Sequence, residues 1–114
     1  MRILCVDDDG LVLSVTADLL RDLGHDVVEA SDGRSAAQVI DGMPSIDMLI
    51  TDIHMPGNVG GKELAAIARS KKPGLPVIYF SGLSHVLPAG MDGVVLRKPC
   101  SLGELQQAID GLQA

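Results

Sequence analysis

The amino-acid sequence predicts an α/β protein whose parallel sheet is covered by helices on both faces. Five short runs rich in β-branched residues recur along the 114 residues, and stretches with helical periodicity separate most of them. The runs are almost continuously apolar, which is typical of strands buried on both sides. Alternation of such strands with helices indicates a doubly wound sheet.

Each element follows from a local pattern. The predicted strands are RILCV (2–6), DVVEA (26–30), DMLIT (47–51), PVIYF (76–80) and GVVLR (93–97). The predicted helices are Leu11 to Leu23, which Gly24 closes, Arg34 to Ile40, Lys62 to Ser70 and, after the last strand, Leu102 to Leu112. The fourth crossover, Gly82 to Asp92, has only 11 residues and is interrupted by Pro88 and Gly90. We therefore expect a short or distorted fourth helix there.

Composition restricts the class of function. With 46% hydrophobic residues, one domain is expected over residues 1–114. The net charge of −6 disfavours nucleic acid and membrane partners and makes a positively charged partner surface more plausible. Cys5 and Cys100 have neither disulfide nor metal-ligand spacing, and acids appear by residue 7, too early for a signal peptide. These features predict a cytoplasmic protein.

Polar side chains stand at the carboxyl ends of four predicted strands. In chain order they are Asp7, Asp8 and Asp9 after the first strand, Asp52 after the third, Ser81 after the fourth and Lys98 after the fifth. The carboxyl ends of parallel strands share one edge of the sheet, so these groups should gather there. Crowded carboxylates repel one another and need a positive partner. Asp7, Asp8 and Asp52 together with Lys98 leave a charge of −2, which one Mg²⁺ would neutralise.

Carboxylates, a divalent ion, a lysine and a hydroxyl form a set suited to phosphoryl groups, whose charged oxygens must be countered in place. Asp52 is the predicted nucleophile, because a rigid strand aims it and the following turn leaves it accessible. Taken singly, DDDG is an ordinary solvated turn or helix start, Asp52 and Ser81 are turn residues and Lys98 is a surface lysine. Their shared edge favours a common site over these separate interpretations.

The motifs resemble the receiver domain of two-component response regulators over the whole chain. They are ILCVDDD, ITDIHMPGNVGGKEL with the Met55-Pro56 turn, YFSG and LRKP. The resemblance implies a flavodoxin-like (βα)₅ fold with strand order 2-1-3-4-5. It also implies Mg²⁺ bound by Asp8, Asp52 and the backbone carbonyl of His54, with Asp7 close by or acting through water. Lys98 would bind phosphoryl oxygens, next to a cis Lys98-Pro99 bond.

On this resemblance, Asp52 takes a phosphoryl group from a phosphohistidine on a sensor histidine kinase or histidine phosphotransfer protein and later loses it by hydrolysis. Ser81 and Lys98 would then move toward the new charge and change the surface that a downstream protein contacts. Such a domain modifies only itself and is not a conventional turnover enzyme. The chain would be either a stand-alone receiver or part of a longer protein.

Two features depart from that family's pattern. The position three residues before the lysine usually carries an aromatic side chain, but here it is Val95. The stretch from Ser81 to Lys98 is also short. The serine-aromatic switch therefore lacks its aromatic, and signalling through the fourth helix should be altered. Phosphorylation itself should survive, because every residue it needs is present.

Other functions fit the sequence less well. VDDDGLVLS is similar to the first motif of haloacid dehalogenase-like phosphatases, with Asp7 as nucleophile and Asp9 as general acid. Against that alternative, Leu11 replaces the usual threonine and no second acidic pair follows Lys98. A nucleotide-binding domain would need a phosphate loop after the first strand, and none is present. A receiver that only binds partners is disfavoured by the intact Asp52 and Lys98.

Overall fold

Strands and helices alternate through the part of the chain that the computed structural model describes, residues 1–43, 45–55, 57, 59–81, 93–97 and 102–113. In chain order they are β1 (Arg2–Val6), α1 (Gly10–Asp22), β2 (Asp26–Ala30), α2 (Gly33–Gly42), β3 (Met48–Asp52), α3 (Gly61–Lys71), β4 (Val77–Ser81), β5 (Val94–Arg97) and α4 (Leu102–Gln113). All lie within two residues of their predicted bounds. Among these described helices, none combines the length and apolarity needed to cross a membrane.

The five strands form one parallel sheet in the order β2-β1-β3-β4-β5. The predicted α/β class, the doubly wound sheet and the 2-1-3-4-5 order are therefore confirmed. The strand order reverses at β1 and β3, and open sheets of this kind place their sites in the crevice at that point. The predicted short or distorted fourth helix falls on residues 82–92, outside the described residues.

Two hydrophobic clusters cover opposite faces of the sheet, because successive strand residues point to opposite sides. One face of β1 contributes Leu4 and Val6 to a cluster with residues of α2 and α3. The other face contributes Ile3 and Cys5 to a cluster with residues of α1 and α4. The two aromatic residues divide in the same way, with Tyr79 in the first cluster and Phe80 in the second. Burial on both faces explains why the strands read as continuous apolar runs.

Candidate functional site

Three of the predicted carboxylates meet at the carboxyl edge of β1 and β3. These two strands are neighbours, and Val6 pairs with Thr51 in their register. The residues that follow, Asp7 and Asp52, therefore reach the same level of the sheet. One carboxylate oxygen from each of Asp7, Asp8 and Asp52 lies within 4.8 Å of the other two. We call these three side chains the acid cluster.

The acid cluster is buried on one side and open on the other. Asp7 is 1% exposed and Asp52 is 8% exposed, whereas Asp8 faces solvent. Asp52 was predicted just beyond the third strand, but it pairs with Phe80 and is the last residue of β3. Its backbone is therefore part of the sheet, and the open side at Asp8 leaves an approach from water.

The three aspartates after β1 have two different roles. Asp7 accepts a hydrogen bond from the backbone N–H of Asp9 at 2.9 Å. Asp9 is the N-cap of α1, where its side chain accepts from the N–H groups of Leu11 at 3.0 Å and Val12 at 3.2 Å. The interpretation of DDDG as a helix start is thus right for Asp9, while Asp7 and Asp8 belong to the acid cluster.

Replacing Asp9 with alanine should destabilise the protein by about 1 kcal/mol, because the first turn of α1 loses its side-chain acceptor. Thermal unfolding of the wild type and the variant measures this loss. The matched variant Asp9→Ser removes the carboxylate but keeps a capping oxygen, so it should retain most of the stability. Equal destabilisation by alanine and serine would contradict the capping role.

The backbone of Asp52 is held by contacts that the sequence pattern did not predict. The buried Thr51 hydroxyl donates to the carbonyl of Asp52 at 3.0 Å. The N–H of Gly61, at the start of α3, donates to the carbonyl of Ile53 at 3.0 Å. A Cβ atom at Gly61 would lie only 2.3 Å from the carbonyl oxygen of Asp52, so α3 approaches this strand end as closely as glycine permits. The Gly60-Gly61 pair at the start of α3 was the available signal in the sequence.

Of the other predicted site residues, the structure describes Ser81 and His54. Ser81 ends β4, is 3% exposed and lies one residue beyond Phe80, the partner of Asp52. His54 is exposed in the segment after β3. The predictions for Lys98, for its bond to Pro99 and for the Met55-Pro56 turn involve residues outside those that the structure describes.

Val95 pairs with Tyr79 in the register of β4 and β5 and packs, partly buried, against the cluster on the α2 and α3 face. Tyr79 and Phe80 are the only aromatic residues in the sequence, and they are 1% and 2% exposed. Both side chains therefore belong to the core. Neither aromatic ring is on the surface, and Val95 itself is a short aliphatic side chain.

The acid cluster could bind a metal ion. Oxygens on opposite sides of an octahedral Mg²⁺ stand about 4 Å apart, so carboxylate oxygens within 4.8 Å of one another need only small rotations to share one ion. Carboxylate oxygens suit hard cations such as Mg²⁺ or Ca²⁺ better than metals that prefer nitrogen or sulfur. The donor set therefore fits a hard divalent cation.

Comparison with known proteins identifies relatives over most of the chain. The family model of the response regulator receiver domain matches residues 3–110. The CAI-1 autoinducer sensor kinase/phosphatase CqsS of Vibrio cholerae is 33% identical over 105 residues, which cover 84% of this chain and 15% of that protein. The chain spans between 13% and 43% of the length of several matched sensor and transcriptional regulatory proteins.

Solved structures agree with this similarity. The receiver domain of the hybrid histidine kinase CckA has a TM-score of 0.84 and 34% identity, with all of both chains covered. The response regulator protein TrrA of Thermotoga maritima, in complex with Mg²⁺-BeF, has a TM-score of 0.85 and 28% identity, with 97% of each chain covered. These matches and the capping role of Asp9 do not support the phosphatase alternative.

Proposed function

The chain belongs to the response regulator receiver domain family, and from this membership we propose that Asp52 accepts a phosphoryl group from a phosphohistidine of a partner protein. The observation that supports this most directly is the position of Asp52. Its carboxylate ends a central strand and lies with those of Asp7 and Asp8 in the acid cluster. A nucleophile held by the sheet needs little reorganisation when the phosphorus approaches.

In the proposed transfer, a carboxylate oxygen of Asp52 attacks the phosphorus and the bond from phosphorus to the imidazole nitrogen breaks. The released nitrogen takes up a proton, and Asp52 becomes an acyl phosphate. Water later cleaves this acyl phosphate and releases inorganic phosphate. The carboxylates of Asp7 and Asp8 do not react, and their charge opposes the approach of a phosphoryl dianion, so the site needs cations.

We propose that the acid cluster, with the backbone carbonyl of His54, binds Mg²⁺. Bound there, the ion would offset the charge of the carboxylates and of the phosphoryl oxygens. Lys98 is assigned to the phosphoryl oxygens because it occupies the LRKP motif of the family. Ser81 is assigned to hydrogen bonding with the phosphoryl group, since it ends the strand next to β3.

The signal that follows phosphorylation should differ from the serine-aromatic switch. Val95 has no ring to rotate, and both aromatic residues of the chain are buried. We propose that Ser81 and Lys98 move without a coupled aromatic rotation, so the change in surface should start at the carboxyl ends of β4 and β5. How far it spreads depends on residues 82–92, whose 11 positions make a short crossover.

The proposed partner is a sensor histidine kinase or a histidine phosphotransfer protein. This proposal is supported by the similarity to CqsS, a sensor kinase/phosphatase, and to the receiver domain of the hybrid histidine kinase CckA. A downstream protein would then read the phosphorylated surface. The acidic charge and the sparse cysteines favour action in the cytoplasm without contact to nucleic acid or membrane.

The deciding experiment is incubation with Mg²⁺ and a small phosphodonor, followed by mapping of the modified carboxylate by mass spectrometry. Label at Asp52 supports the receiver chemistry. Label at Asp7 would instead support the phosphatase alternative, and no label at either residue would favour a module that only binds partners. The two last outcomes each contradict the proposal.

Mg²⁺ should stabilise the folded protein through the acid cluster. At ten times its dissociation constant the ion should add about 1.4 kcal/mol to the free energy of unfolding. That corresponds to a rise of roughly 5 °C in the unfolding temperature. Calorimetry or circular dichroism with and without Mg²⁺ measures the shift.

Asp8→Asn is the informative variant for this prediction, because Asp8 is exposed and its replacement should leave the core intact. It should lose most of the Mg²⁺-dependent rise. The control Asp22→Asn changes an exposed acid at the far end of α1 and should keep the full rise. An equal Mg²⁺ response in both variants would exclude Asp8 as a ligand.

A further inference from the structure

We propose that Gly33, the first residue of α2, is a positioning residue for the segment that follows Asp52. We call that segment, from Ile53 to Gly60, the acceptor loop. Gly33 lies on a different element from every member of the acid cluster. The expected effect of Gly33 on the phosphorylation rate rests on the proposed phosphorylation of Asp52. Its effect on the position of the acceptor loop can be measured separately.

The acceptor loop approaches the start of α2 unusually closely. A Cβ atom built on Gly33 would lie 2.0 Å from the carbonyl oxygen of Val59 and 2.7 Å from its Cβ. Real Cβ atoms essentially never approach another heavy atom within 3.0 Å, so any side chain at position 33 would force the Val59 carbonyl back by about 1 Å. Space alone requires glycine here, since Gly33 is not among the described residues with positive φ.

The α2 side of this contact is firmly held. The side chain of Asp32 caps the helix by accepting from the N–H of Ser35 at 2.7 Å, and this hydrogen bond lowers the pKa of Asp32. Ala36 and Ile40, on the same helix, are 0% and 6% exposed in the cluster on that face of the sheet. A displacement forced at Gly33 should therefore fall on the acceptor loop rather than on α2.

A push at Val59 should reach the start of the acceptor loop, because described residues at both ends of the loop share contacts. The N–H of Gly61 closes the loop by donating to the carbonyl of Ile53 at 3.0 Å, and Met55 and Val59 pack, partly buried, against the same core cluster. A shift of Val59 strains these contacts. His54, whose carbonyl is a proposed Mg²⁺ ligand, lies between Ile53 and Met55 in the chain.

The same helix offers a matched control. Gly42 is the last residue of α2, and a Cβ atom there would meet nothing within 4 Å among the described residues. Gly42→Ala therefore makes the same chemical change in the same helix without touching the acceptor loop. Any effect seen with Gly33→Ala and not with Gly42→Ala comes from the contact with Val59.

The test compares the wild type with Gly33→Ala, Gly42→Ala and Val59→Gly. Amide chemical shifts of the acceptor loop are measured by NMR, and phosphorylation of Asp52 is followed over a range of concentrations of a small phosphodonor with saturating Mg²⁺. Gly33→Ala should shift the amides of His54, Met55 and Gly60 and lower the maximal rate by roughly 10- to 100-fold, as expected for displaced reacting groups. Gly42→Ala should match the wild type in both measurements.

A merely structural role would lower the unfolding temperature and leave the maximal rate of the folded fraction unchanged, and that result would overturn the proposal. Wild-type shifts in the acceptor loop of Gly33→Ala would also overturn it. If Gly33→Ala does not fold, Val59→Gly decides, since it loosens the same contact without a clash: a lower maximal rate supports the proposal and an unchanged rate overturns it. Should the wild type itself take no label at Asp52, the proposed function fails, while the loop shifts still decide the positional effect.

Discussion

Asp52→Asn should abolish phosphorylation of the protein by a small phosphodonor. The amide cannot act as the nucleophile, and loss of a nucleophile lowers rates by on the order of 10³-fold or more. The fold should persist, because the amide fits the same space at the end of β3. In Mg²⁺-free buffer the unfolding temperature should stay equal or rise, since the acid cluster loses one of its mutually repelling charges. Phosphoprotein mass spectrometry and thermal unfolding measure the two effects.

The control for this prediction is Asp18→Asn, which makes the same isosteric change on the exposed surface of α1. Asp18 forms a surface ion pair with Arg21 at 3.6 Å, an interaction that contributes little to stability. This variant should be phosphorylated at the wild-type rate. Undiminished labelling of Asp52→Asn at some other carboxylate would show that Asp52 is not the acceptor.

The strand pattern predicted that the acids share one edge of the sheet, and the strand order implied by the resemblance to receiver domains made β1 and β3 neighbours. Once the apolar runs of β1 and β3 are taken as parallel neighbours, Asp7 and Asp52 must end at the same edge. The predicted ends were one residue short at Asp52 and Ser81. Both residues have partners in the sheet, Phe80 and Arg97, and such pairing cannot be deduced from hydrophobicity.

Gly33 and Gly61 were not predicted to matter, and the reason is physical. A sequence shows that a residue is glycine but not which distant backbone passes beside it. At both positions the neighbour is a carbonyl group of another segment, at a distance that a Cβ atom could not tolerate. Glycines that permit positive φ, such as Gly24 and Gly57, are of a different kind, since turn geometry can be anticipated locally.

These close contacts constrain the chain that follows Asp52 without adding any polar group to the acid cluster. The sheet fixes where the carboxylate of Asp52 begins, and the helices α2 and α3 fix the path of the chain that leaves it. Gly33 supports the acceptor loop near its end, and Gly61 abuts the carbonyl of Asp52 itself. Substitutions at the two glycines should therefore have different effects. A side chain at position 33 should mainly displace the acceptor loop, and a side chain at position 61 should mainly disrupt the fold.

Gly61→Ala should be strongly destabilising. The new methyl group would lie 2.3 Å from the carbonyl oxygen of Asp52 and 3.0 Å from the Cα of Ile53, and both are backbone atoms that cannot rotate away. Overpacking of this kind destabilises proteins by about 1–3 kcal/mol or more. We expect the unfolding temperature to fall by roughly 5–10 °C. Phosphorylation of the folded fraction should slow as well, because α3 can accommodate the methyl group only by moving away from the strand that carries Asp52.

Gly111→Ala provides the matched comparison, because Gly111 lies within α4 and a Cβ atom there would meet nothing within 4 Å among the described residues. Alanine is favoured over glycine inside a helix by about 1 kcal/mol, so this variant should be more stable than the wild type. Substitution of glycine by alanine is thus expected to lower the stability at position 61 and to raise it at position 111. If Gly61→Ala were as stable as the wild type, α3 could not be in contact with the end of β3, and the packing that we infer to hold Asp52 in place would be wrong.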